Sequence, residues 1–74
     1  MILYHRIDDA DSAAVRRRVV ELGLKTRVDF QNVDTDGAEA FAVHGGRRVP
    51  AVWDGERLHE GKIAALAVLE TLPR

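Results

Sequence analysis

The apolar positions of the chain change their spacing several times, and each change marks an element. Ile2, Leu3 and Tyr4 suit the start of a buried strand, so residues 1–7 are read as a first strand. Asp8-Asp9-Ala10-Asp11-Ser12 then opens a helix, with Asp8 or Asp9 as its cap and the remaining carboxylates at the positive end of the helix dipole. Val15, Val19 and Leu22 recur at helical spacing and form a core stripe, with Ala14, Arg17, Arg18 and Glu21 opposite. Gly23 ends this helix.

Thr26 to Val33 alternates and is read as a second strand, with Val28, Phe30 and Asn32 on one face and Asp29, Gln31 and Val33 on the other. Asp34-Thr35-Asp36-Gly37 makes a turn into a short helix through Phe41 and Val43, which ends at Gly45-Gly46. Val49-Pro50-Ala51-Val52-Trp53 is a third strand, Asp54-Gly55 a two-residue hairpin, and Arg57-Leu58-His59 the returning strand. The last helix is expected from about Glu60 to Leu72, with Pro73 at its end. Ile63, Leu66 and Leu69 are assigned to its core face, which leaves Val68, with Ala64 or Leu72, on a second apolar face. The predicted order is β-α-β-α-β-β-α: an α/β fold with a four-stranded mixed sheet flanked by three helices. The first βαβ unit is parallel and right-handed, and the hairpin antiparallel.

With 74 residues, one domain accounts for the whole chain. It has no cysteine, which removes disulfides, thiolate metal sites and thiol nucleophiles. Charged residues make up 31% of the chain but sum to a net charge of −1, so a general nucleic-acid binder is not expected despite Arg16-Arg17-Arg18. The longest apolar run, Ile63 to Leu69, is too short to span a bilayer, and the N-terminus lacks the pattern of a signal peptide. The expectation is a cytoplasmic protein with no membrane or nucleic-acid partner.

Arg48-Val49-Pro50-Ala51-Val52-Trp53-Asp54-Gly55-Glu56-Arg57-Leu58-His59-Glu60-Gly61 resembles the corresponding stretch of the glutaredoxin branch of the thioredoxin superfamily. It is also similar to the N-terminal domain of glutathione S-transferases. The resemblance covers nearly the whole chain and implies a thioredoxin-like fold of glutaredoxin type. It implies a cis bond at Val49-Pro50, with the backbone of Val49 exposed to pair with a substrate like an added strand. It further implies that Arg48, Val49, Pro50, Glu60 and Gly61 border a cleft for glutathione or a peptide. The family's C-x-x-C falls on Asp9 and Ser12 when counted back from Gly23, so both redox positions are degenerate. A carboxylate cannot replace a thiolate in disulfide exchange, which proceeds through a sulfur–sulfur intermediate. No catalytic residue is assigned.

Three functions follow as expectations. The first is a non-redox module that binds an extended peptide or protein partner at the cleft. The second is a glutathione-binding or transferase-like subunit using Ser12 or Tyr4, with glutathione as its one candidate ligand. The third is a structural subunit, a homodimer included, docking through the last helix. Asp8-Asp9-x-Asp11 and Asp34-x-Asp36-Gly37 are read as helix and turn caps rather than metal sites, and no metal is assigned. His5, His44 and His59 share no ligand spacing; His44 is placed near a helix C-terminus, and His5 and His59 near the cleft.

Overall fold

The computed structural model describes residues 1–73. The chain runs β1 (Ile2–His5), α1 (Ala10–Glu21), β2 (Asp29–Asn32), α2 (Ala38–Val43), β3 (Ala51–Trp53), β4 (Leu58–Glu60) and α3 (Lys62–Glu70). The sheet order is β2-β1-β3-β4. β1 pairs in parallel with β2, and β3 is antiparallel to both β1 and β4.

Local chemistry sets the ends of α1. The Asp9 carboxylate accepts the Ser12 N–H at 2.8 Å and so caps the helix N-terminus. At the other end Gly23 adopts φ +70, where a side chain is disfavoured. Leu24 and Gly23 then donate back to the Val19 and Val20 carbonyls, a Schellman closure.

Alternation along the strands divides the core. On one face Leu3 and Val52 meet Val15, Val19 and Leu22 of the α1 layer and Ala65 and Leu69 of α3. On the other, Tyr4 and Ala51 pack with Val33, and Phe41 of α2 lies over them with its ring 5.2 Å from that of Tyr4. The Trp53 indole stacks on the His44 imidazole at 3.6 Å. Tyr4 is fully buried, and its hydroxyl has no partner among the described residues.

The structure corrects several boundaries. β2 begins at Asp29 rather than Thr26, because the N–H groups of Arg27 and Val28 turn back to the Leu24 carbonyl. The hairpin tip is Gly55-Glu56, one residue later than the Asp-Gly reading. Asp54 is the closing position: its N–H donates to Arg57 O, and its carboxylate accepts from the N–H groups of Glu56 and Arg57. Glu60 belongs to β4, not to the last helix, since Gly61 at φ +92 breaks the chain direction and α3 starts only at Lys62.

The largest correction concerns α3. Its buried residues are Ala65 and Leu69, with Leu66, Val68 and Leu72 at the margin of the core. Ile63, assigned to the core from sequence, is 84% exposed. Lys62-Ile63-Ala64-Ala65-Leu66-Ala67-Val68-Leu69-Glu70 is apolar almost all round, so periodicity alone does not select a face. Ala65 faces inward because its small side chain lets α3 lie close on β3 and α1. No helix among the described residues is long and apolar enough to cross a membrane.

Candidate functional site

A groove of about 550 Å³ opens at the N-terminal end of α3. Arg48 and Val49 form one lip, Glu60 and Gly61 the floor, and Ile63, Ala64 and Ala67 the helical wall, with Lys62 and Asp11 at the end. The Val49–Pro50 bond is cis. Pro50 is buried, and its carbonyl accepts the Gly61 N–H at 2.8 Å, which ties the loop to the start of α3. Among the described residues, neither the N–H nor the C=O of Val49 takes a hydrogen bond.

Glu60 is part of the groove but is not free to receive a ligand through both oxygens. One carboxylate oxygen, Oε1, accepts the N–H groups of Arg47 and Arg48 at 2.7 and 2.8 Å. It therefore shapes the loop that presents Val49. Arg48 is exposed and forms no salt bridge among the described residues. Lys62 lies 3.9 Å from Asp11, across the gap between α3 and α1. The groove thus has an apolar helical wall and carries two cations, Arg48 and Lys62, and two carboxylates, Asp11 and Glu60.

Asp9 and Ser12, which the resemblance sets at the redox positions, do not line this groove. Asp9 is the α1 cap, held below the usual carboxylate range by the hydroxyl and N–H of Ser12. Ser12 is fully buried, and its Oγ accepts the Arg6 N–H at 3.2 Å. The pair closes the β1–α1 turn instead of offering a reactive group. Replacing Asp9 by alanine is expected to cost about 0.5–2 kcal/mol, the usual effect of losing an N-cap, as read from urea midpoints. An unchanged midpoint would show that the cap carries no stability.

His5 and His59, expected near the cleft, lie outside the groove lining. His59 Nε2 bonds Asp54 Oδ2 at 2.7 Å. That contact and the N–H groups of Arg57 and Glu56 hold the Asp54 carboxyl far below its usual range. His59 lines a neighbouring trough with Ala64, Ala67, Val68 and Thr71.

His5 is 6% exposed, and its Nδ1 is 2.9 Å from Arg16 Nη1. A guanidinium can only donate, so Nδ1 accepts and the ring is neutral with its proton on Nε2. Burial, reinforced by Arg16, depresses the His5 pKa below 6.5, against an opposing pull from Asp36. Between the depressed value and 6.5 the unfolded chain binds more protons than the folded one. Stability contributed by neutral His5 is therefore complete above about 6.5 and falls as pH drops below it, by at most about 1.4 kcal/mol per pH unit. His5→Asn keeps an acceptor for Arg16 without a titrating group. Urea midpoints at about pH 7 and about pH 5 should show a smaller acid loss in the variant than in the parent. Equal losses would contradict the His5 assignment.

Asp34 and Asp36 serve their own turn. Asp36 Oδ1 accepts the Asn32 N–H at 2.9 Å, and the Asp34 carboxylate pairs with Arg6 at 3.0 Å, joining the two loops. Among the described residues no three His, Asp or Glu side chains stand where they could hold a metal ion.

Sequence reasoning did not place Asp11, Lys62, Ile63, Ala64 or Ala67 on the groove. The missed signal is the unbroken apolar character of α3 immediately after Lys62. No protein-family model matches the chain, and no curated protein or solved structure does either.

Proposed function

We propose that this chain is a thioredoxin-fold domain of glutaredoxin type without redox cysteines, and that it holds an extended peptide segment of a protein partner in the groove beside Val49. The observation that carries the reading is the unpaired main chain of Val49 on the lip of the groove. An extended segment gains main-chain hydrogen bonds there, as in strand addition, while its side chains rest on Ile63, Ala64 and Ala67. Strand order, helix placement and the cis Val49–Pro50 bond support the fold assignment.

The transferase-like alternative has less support. Ser12 and Tyr4 are both at 0% exposure, so neither hydroxyl reaches a thiol in the groove.

Selection of peptides from a displayed library against the immobilised chain tests the reading. Selected peptides should shift the backbone NMR signals of Val49, Gly61 and Ile63, and reduced glutathione at about 1 mM should not reproduce the pattern. Binders that perturb only β2 and α2, or no binders above a scrambled control, would contradict it. The same shifts with reduced glutathione would favour the glutathione reading.

A further inference from the structure

We infer that α2 is a lid on the sheet: residues 38–46 lift off Tyr4 as a unit while the rest of the chain stays folded, and the buried Tyr4 hydroxyl drives the opening. Tyr4 is fully buried, and its hydroxyl has no hydrogen-bond partner among the described residues. A hydroxyl taken out of water and left unpaired costs free energy, and the closed state carries that cost. Tyr4 stands on the α2 side of the sheet, where Phe41 lies over it. α2 is therefore the element whose departure returns the hydroxyl to water.

Little fastens α2 to the sheet. None of its six residues is buried. Among the described residues, no side chain from Ala38 to Gly46 forms a hydrogen bond or an ion pair. The N–H groups of Phe41, His44, Gly45 and Gly46 donate to the carbonyls of Gly37, Ala40, Ala42 and Phe41, so these bonds stay local to the segment. What holds the lid is packing: the Phe41 ring on Tyr4 and the His44 imidazole on Trp53. By contrast, α1 and α3 are each anchored by fully buried side chains, Val15 and Val19 in one and Leu69 in the other.

The chain on either side of the lid is held. Ahead of it, Gly37 N–H donates to Asn32 O at 2.8 Å, and Asp36 Oδ1 accepts the Asn32 N–H. Gly37 lies so close on β2 that an added Cβ would overlap the Gln31 side chain. Behind it, Glu60 grips the N–H groups of Arg47 and Arg48. Between the lid and that grip stand Gly45, at φ +79, and Gly46, which form the joint. Motion is thus confined to the segment. Once off the sheet, a helix of six residues cannot sustain its own turns, and its amides open to solvent.

Native-state hydrogen exchange of the full chain, followed by NMR at rising urea below the unfolding transition, tests the proposal. Protection at Phe41, His44 and Gly46 should be at least about tenfold lower than at Val19 and Leu69. It should also fall less steeply with urea, because the lid exposes little surface. Tyr4→Phe removes the hydroxyl and keeps the ring, so exchange in α2 should slow at least about fivefold. Gly46→Ala puts a Cβ into the Phe41 ring and should speed it. Exchange in α2 with the protection and urea slope of Val19 and Leu69 would overturn the proposal. So would a Tyr4→Phe chain whose α2 exchange is unchanged or faster, or a Gly46→Ala chain in which it is unchanged or slower.

Discussion

Leu69→Ala is expected to cost about 2–5 kcal/mol, whereas Ile63→Ala on the same helix should cost less than about 0.5 kcal/mol. Leu69 is fully buried and joins α3 to Leu3, Val15 and Val52. Its truncation removes both the burial of the side chain and the contacts of the atoms around it. A chain of this length has a total stability of roughly 4–11 kcal/mol, so the loss would leave a large fraction unfolded at the low end. Ile63 gains almost nothing from folding in the isolated chain. Denaturant titrations of both variants at low protein concentration, by far-UV circular dichroism, give the comparison. Equal costs would mean that α3 is rotated so that Ile63 enters the core.

Gly61→Ala is the second large expected effect. At φ +92 and ψ 159 the residue occupies a region open essentially to glycine alone. An added Cβ meets no clash, its nearest neighbour being Arg48 Nη1 at 3.9 Å, so the cost comes from the backbone angle. About 1–3 kcal/mol should be lost. If the backbone rotates to relieve the strain, the Gly61 N–H leaves Pro50 O and the first turn of α3 shifts. The variant should therefore lose stability and also move the NMR signals of Arg48 and Val49. A wild-type urea midpoint with unmoved loop signals would contradict this role.

These two residues also show where sequence reading succeeds and stops. Most of the α1 segment was readable: Val15, Val19 and Leu22 are buried and Gly23 closes the helix, while the cap, left between Asp8 and Asp9 by the sequence, is Asp9. Of the residues that the resemblance sets beside a cleft, Arg48, Val49, Glu60 and Gly61 line one groove, whereas Pro50 is buried and outside its lining. The face of α3 was not readable, because its polar residues sit only at its ends and packing against α1 and β3 decides the rotation. The role of Glu60 was also hidden. Its carboxylate acts on Arg47 and Arg48, thirteen and twelve residues earlier, once the β3–β4 hairpin has brought them together. Ser12 was placed correctly in the helix, but its complete burial depends on the turn back to Arg6.

The central claim is that the main chain of Val49 is the recognition element, and hydrogen exchange at one amide tests it most directly. In the free chain the Val49 N–H has no partner among the described residues and should exchange rapidly. When a selected peptide saturates the chain, pairing of its backbone with Val49 should slow that exchange by at least about tenfold, with smaller changes at exposed amides far from the groove. Saturation that leaves Val49 exchange unchanged would place the ligand elsewhere and contradict the account.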